Sequence, residues 1–150
     1  MATDVIWALI LNATRGRIIR SLQEAQSALT TELVVRAKQL KLSTRMGASA
    51  LPLGTLARGE RASALRHYQD ALREDEETFA REVVMLLDAH RRAGDFDSLI
   101  VVSPSDMMER LLAEMSQPLK LKIEATVIAN LTHEPTPQLV SLVRQVALGH

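Results

Sequence analysis

Cysteine is absent from the 150 residues of the chain. That excludes disulfides and thiolate metal sites, removes the most reactive protein nucleophile, and makes a reducing cytoplasm the expected compartment. Aromatic residues make up only 3%, so the core must be built from aliphatic side chains. Neither sign of charge is in excess: 18 basic and 18 acidic side chains leave no global field to steer a polyanion or coat a membrane. Any nucleic-acid affinity would have to be local. The apolar run Val5 to Leu11 is far too short to span a bilayer, and Asp4 stands where a signal peptide carries positive charge. Membrane insertion and signal-directed secretion are therefore not expected.

Catalytic signatures are also scarce. No phosphate-cradling glycine loop follows any strand-like segment, and no Gly-x-Ser-x-Gly surrounds Ser103 or Ser105. No spacing of His or carboxylates reproduces a zinc or calcium site. The expectation is a protein that is not an enzyme and holds no metal or cofactor.

What is present is an ordinary globular composition, 47% apolar and 24% charged, in a chain of single-domain length. Val5 to Leu11 is apolar with β-branched and aromatic members and reads as a buried strand, Asn12 to Gly16 as a turn, and Arg17 to Leu22 as the second strand of an antiparallel hairpin. Glu32 to Leu42 reads as a third strand, although Ala37, Lys38 and Gln39 suit a helix equally well. Ser43 to Gly59, with Gly47, Pro52, Gly54 and no period, reads as a long exposed loop within one domain.

Leu65, Tyr68, Leu72, Phe79, Val83, Leu86 and Leu87 then recur at three- and four-residue spacings, the stripe of one long amphipathic helix that Gly94 ends as a C-terminal cap. Leu99 to Val102 is an aliphatic run suited to a central strand covered on both faces. Ser103 is expected to cap a helix with Pro104 at its first position, Asp106 three residues after the cap, and Met108, Leu111, Leu112 and Met115 as its buried stripe. Ile123 to Ile128 is a further strand, and Thr136 with Pro137 repeats the cap-plus-proline device before a last helix. The resulting expectation is an α/β fold, a mixed sheet of about five strands with three flanking helices, its later strands parallel because helical crossovers join them.

Several of these segments resemble a known family. Phe79-Ala80-Arg81-Glu82-Val83, Gly94-Asp95-Phe96-Asp97-Ser98 through Ser103-Pro104, and Asn130-Leu131-Thr132-His133 are similar to the bacterial family of proteins required for attachment to host cells. Trp7 to Ile18 is similar to that family's opening hairpin, with Asn12 where aspartate is more usual. The family in turn resembles the middle domain of archaeal and eukaryotic class-1 release factors and of the rescue factor Pelota, which implies a ribonuclease-H-like fold. Those factors carry Gly-Gly-Gln before their long helix. Here the corresponding stretch is Gly59-Glu60-Arg61-Ala62-Ser63, so peptidyl-tRNA hydrolysis by that route is not implied.

Two sets of residues stand out as candidate contacts. Arg36, Lys38, Lys41, Arg45, Arg58, Arg61, Arg66 and Arg73 form a local basic excess that suits phosphate neutralisation, or else simply a solvated face, since Tyr68 alone among them offers a base-stacking ring. Thr132, His133 and Glu134 follow a strand, where α/β folds gather ligands, although a structural turn that pairs with the backbone is the favoured role for His133. Glu74 to Glu77 reads as a solvated helical face, and His90 as a favourable charge at a helix C-terminus. The last helix is apolar on more than one side through Leu139, Val140, Leu142, Val143, Val146 and Ala147, which suggests a homodimer through that helix. Two functions follow: a non-enzymatic interaction protein of the host-attachment type, or a ribosome- or RNA-associated binding module without hydrolytic chemistry.

Overall fold

The protein is seen in a computed structural model that describes residues 5–20, 32–37 and 58–148. In chain order the elements are β1 (Ile6–Leu11), β2 (Arg15–Ile19), β3 (Glu32–Arg36), α1 (Arg58–Arg92), β4 (Ser98–Ser103), α2 (Ser105–Glu114), α3 (Gln117–Lys120), β5 (Ile123–Ile128) and α4 (Thr136–Leu148). The strands form one five-stranded sheet in the order β3-β2-β1-β4-β5. β1–β2 and β2–β3 pair antiparallel, whereas β1–β4 and β4–β5 pair parallel. This is the ribonuclease-H-like arrangement, a mixed sheet flanked by helices.

The two strands that read as uninterrupted apolar runs occupy the middle of the sheet. Trp7 to Leu11 of β1 and Leu99 to Val102 of β4 are all buried, because each has a neighbour on both sides and helices on both faces. Their side chains divide by the two-residue pleat. Trp7, Leu9, Leu11, Leu99 and Val101 pack against α1, α2 and α3, while Ala8, Ile10, Ile100 and Val102 pack against α4. Gly16 lies close beneath α1: a Cβ there would lie 3.2 Å from Leu11 Cδ1, which would have to give by a few tenths of an ångström, and 3.9 Å from Phe79 Cζ, an ordinary contact.

α1 is 35 residues long, about 52 Å at 1.5 Å per residue, whereas a six-residue strand spans about 20 Å. The helix therefore outruns the sheet. From Ala71 onward its buried positions, Ala71, Asp75, Phe79, Ala80, Val83, Val84 and Leu87, follow the helical period, and those from Phe79 on pack with the strands in one core. Ahead of Ala71 no described side chain is buried, and Leu65 and Tyr68, expected in the core stripe, are 49% and 41% exposed. At the other end the Schellman pattern is complete: Gly94 adopts φ 76°, its N–H bonds to the Arg91 carbonyl at 3.0 Å, and Asp95 N–H bonds to the His90 carbonyl at 3.0 Å. His90 is held there by Asp95, its Nδ1 2.7 Å from Oδ2, and its ring lies 5.0 Å from that of Trp7.

Several local expectations are corrected. Arg58 and Gly59 belong to α1 rather than to the expected loop, and residues 43–57 lie outside the described residues. β2 starts at Arg15 and ends at Ile19, and β3 ends at Arg36 with 38–42 outside the described residues. Ser103 does not cap α2. Pro104 is itself the cap residue, and the Ser103 hydroxyl, at the end of β4, donates to the Pro104 carbonyl at 2.9 Å. The three expected flanking helices are joined by the one-turn α3, capped by Ser116. Nor is the acidic run Glu74 to Glu77 a purely solvated face, because Glu76 accepts from Arg110 Nε at 2.7 Å, Glu77 lies 3.6 Å from the same guanidinium, and Asp75 is buried. The sequence could not show that α2 would lie alongside.

Asp88 ties the end of α1 to α3. It accepts from Arg91 Nε at 2.7 Å, Arg92 at 2.9 Å and Ser116 Oγ at 3.4 Å. The hydrogen bond from Arg91 chiefly, with the positive charges of Arg91 and Arg92 and the Ser116 bond, holds its carboxyl below the usual carboxylate range despite an opposing desolvation. A depressed folded-state value means that Asp88 stabilises fully above the unfolded value, near about 3.9, and that this contribution is lost as pH falls through the folded value. Urea midpoints of wild type and Asp88→Asn should therefore differ at neutral pH and draw together as acid protonates the Asp88 carboxyl in the folded protein.

Candidate functional site

β1, β4 and β5 run parallel, so their carboxyl ends, Leu11, Ser103 and Ile128, open on one edge of the sheet. In open α/β sheets this edge is where ligands collect. Here it is formed by the Asn12–Thr14 turn, Pro104 and the segment 129–135 before α4.

The turn is built by Asn12. Its Oδ1 accepts from Thr14 N–H at 2.9 Å and Arg15 N–H at 2.8 Å, which closes the chain back into β2. Its Nδ2 donates to Thr132 Oγ1 at 2.9 Å, and the Thr132 hydroxyl donates in turn to Asn130 Oδ1, also at 2.9 Å. An aspartate, expected at position 12 from the resemblance, has no donor for Thr132. Thr132 is fully buried as a result.

Arg17 is the centre of the second half of the site, and it was not singled out from sequence. On β2 it sits opposite Ile10 and Val34, on the α4 face of the sheet, and it is 4% exposed. Burying a guanidinium requires that its donors be met. Four of its five N–H groups are. Nε pairs with Glu32 of β3, Nη1 donates to the Thr132 carbonyl at 3.1 Å and to the Glu134 carbonyl, and Nη2 donates to Thr136 Oγ1 at 3.0 Å. Thr136 then donates to Glu32 Oε2 at 3.1 Å. Thr136 is thus the first residue of α4 with its hydroxyl turned to Arg17 and Glu32, not the expected cap. The one clue in the sequence was the basic residue itself, two positions after Arg15 and two before Ile19 on the same face of β2.

Of the predicted loop, then, Thr132 and Glu134 are brought into this cluster through their backbone carbonyls and the Thr132 hydroxyl. His133 is not: its side chain is exposed, and no hydrogen bond joins it to another described side chain. Of the predicted basic set, Arg66 and Arg73 are exposed on α1 and Arg36 is exposed on β3. Arg58 and Arg61 lie in the first turns of α1, while Lys38, Lys41 and Arg45 lie outside the described residues. A further basic residue joins them. Arg15 stands directly opposite Arg36 in the β2–β3 register, half-buried, with its Nε sequestered from solvent and without a hydrogen-bond partner.

Among the described residues, no group of three His, Asp or Glu side chains is arranged to hold a metal ion, and no helix is long and apolar enough to cross a membrane. What the edge contains is a set of mutually saturated polar groups that fix the hairpin turn, the loop after β5 and the start of α4 to one another.

Solved structures with the same fold include a non-polymerisable quadruple mutant of pCBH ParM, with a TM-score of 0.52 at 7% identity over 97% of this chain and 48% of that one. The archaeal translation termination factor aRF1 matches with a TM-score of 0.44 at 12% identity over 97% of this chain and 41% of that one. This chain spans about half the length of either protein, and at such identities the likeness concerns the fold alone; below a TM-score of 0.5 the second match adds nothing to it. No curated protein sequence matches the chain. Residues 7–143, by contrast, match the family described as "Protein required for attachment to host cells". With nearly the whole sheet, all of α1 and most of α4 inside that match, the chain belongs to the host-attachment protein family.

Proposed function

We propose that the protein is a non-catalytic interaction module of the host-attachment family, working in the cytoplasm and binding a macromolecular partner through the amino-terminal arm of α1. The observation that carries this reading is the contrast between two regions. At the carboxyl edge of the parallel strands, where a catalytic group would be expected, Asn12, Arg17, Glu32, Thr132 and Thr136 are spent on one another. Along the arm before Ala71, Leu65, Arg66, His67 and Tyr68 stand exposed on a helix that the core anchors farther down. An aromatic and an aliphatic side chain on a rigid helix are ordinary anchors for a protein groove.

The runner-up is an RNA- or ribosome-bound module, and one observation favours it. Arg15 and Arg36 face each other across β2–β3, and like charges directly opposite are unfavourable unless an anion joins them. Phosphate contacts of this kind weaken steeply with salt. Cell fractionation and a salt titration on purified ribosomes separate the readings. Association that Leu65→Ser plus Tyr68→Ser abolishes, and salt leaves unchanged, supports the protein partner. Ribosome binding that falls with salt and is lost in Arg36→Glu plus Arg66→Glu supports RNA. Arm variants that fractionate like wild type, with no ribosome affinity in either, would overturn both.

A further inference from the structure

Arg15 and Arg36 stand directly opposite each other in the β2–β3 register. The bond from Ala37 N–H to the Thr14 carbonyl at 2.9 Å makes theirs a non-hydrogen-bonded pair, the kind whose side chains stand closest. By the two-residue pleat both lie on the face shared by Arg17 and Ile19, the α4 face. This corner is open, for Val34 is 41% exposed and Arg36 is exposed beside it. Facing guanidiniums repel unless something negative joins them. Among the described residues no carboxylate lies within ion-pair distance of either, and Glu32, on the same face, is spent on Arg17 and Thr136. Nor does the neighbouring chain supply one: Val5 to Gln23 and Leu33 to Gly59 contain no acidic residue. Arg15 Nε is withdrawn from solvent without a hydrogen-bond partner, although buried donors nearly always have one. Arg20 Nε is alike in this, but it follows the far end of β2, at the opposite edge of the sheet. Arg15 begins β2 and Arg36 ends β3, which places the pair at the edge where the carboxyl ends of β1, β3, β4 and β5 open.

We propose that Arg15 and Arg36 form a binding site for the dianionic phosphate group of a small phosphate monoester. Charge and shape select this ligand. Two guanidiniums, which stay protonated in proteins, supply two positive charges and two planar forks of donors. A phosphate monoester supplies nearly two negative charges and three acceptor oxygens, so each fork can grip two oxygens and share the third. A phosphodiester carries a single charge and two free oxygens, enough for one fork. Position argues the same way. Arg66 and Arg73 ride on α1, which packs on the opposite face of the sheet, so they do not extend the pair into a track along which a polymer could lie. The site shares its arginines with the RNA reading but does not need RNA, and it is independent of the partner bound by the α1 arm.

The test titrates methyl phosphate, a monoester, and dimethyl phosphate, a diester, into the isotope-labelled full chain at constant ionic strength. Backbone amide and arginine Nε–H signals are followed by NMR. Methyl phosphate should move the Nε–H signals of Arg15 and Arg36 saturably, with an affinity about tenfold or more above that of dimethyl phosphate. Arg15→Gln and Arg36→Gln should each abolish the saturable shift of the neighbouring amides. Neither should lower the melting temperature in phosphate-free buffer, because taking away one of two facing cations removes a repulsion. Arg36→Lys, which keeps the charge and loses the fork, should weaken binding without abolishing it. No saturable shift by about 10 mM methyl phosphate, equal affinity for the two esters, or binding that survives Arg36→Gln would overturn the proposal. Equal affinity for the esters together with binding of a single-stranded RNA oligonucleotide would leave the RNA reading standing alone. Methyl phosphate binding with no RNA affinity would keep this site and remove that reading.

Discussion

Replacing Arg17 with methionine should lower the free energy of unfolding by about 3–5 kcal/mol, the usual cost of removing one partner from a buried ion pair. Methionine fills much of the same volume, so the loss is electrostatic. Glu32 is left without its cation, and the carbonyls of Thr132 and Glu134 lose their donor inside the protein. For a chain of this size each kcal/mol moves the midpoint of thermal unfolding by about 2–4 °C, so a drop on the order of 10 °C is expected. Chemical denaturation measures it directly. A loss below about 1 kcal/mol would mean that the guanidinium is replaced by water and that the cluster does not hold β2, β3 and α4 together. Arg17→Lys is expected to recover only part of the loss, because an ammonium cannot fork between two carbonyls, a carboxylate and a hydroxyl at once.

Truncating Phe79 to alanine should cost a similar amount, about 3–5 kcal/mol. Phe79 is one of the two phenylalanines, is 1% exposed, and is the point where α1 first meets the centre of the sheet. Its ring reaches down toward Gly16, the position on β2 that has no side chain to fill the gap. With both the ring and a neighbouring side chain missing, the cavity has little that can collapse into it, which places the cost in the upper part of the range. The helical arm before Ala71 should be unaffected, since it owes nothing to that contact. Equilibrium unfolding of Phe79→Ala, with the far-ultraviolet helical signal of the native baseline unchanged, is the outcome to expect; a native baseline with visibly less helix would mean that α1 folds only as a single unit with the sheet.

The long-range charge pairs show where sequence reasoning stopped. Glu74 to Glu77 has the composition of a solvated face, but Arg110 reaches Glu76 from a helix 34 residues on in the chain, a distance that no periodicity encodes. Arg17 was likewise passed over, because its partners come from β3, from the loop after β5 and from the first turn of α4, three segments with no local relation to it. The predicted loop Thr132 to Glu134 lies at the carboxyl edge of the parallel strands, where backbone carbonyls and a buried hydroxyl, not the His133 ring, join it to Arg17 and Asn12. Of the basic set, Arg36, Arg66 and Arg73 are exposed as a binding role requires, but α1 places Arg66 on an arm and β3 places Arg36 on the sheet. Whether a polyanion touches both is a question for the salt titration above.

The sequence by itself located β1, β4 and β5, the order of the elements and the two strands that lie innermost, but left β3 open between strand and helix. Those depend on the pleat, the helical period and the length of apolar runs, all of which act within a few residues. Gly94 as a helix terminator was legible for the same reason: only a residue without a Cβ takes its backbone angles freely. The tertiary structure alone decided how far α1 outruns the sheet, which turns the stripe Leu65–Tyr68 from core into surface, and which polar groups meet at the carboxyl edge. Both depend on where segments distant in the chain come to rest. That placement is fixed by packing across the whole sheet and leaves no mark in any short window of sequence.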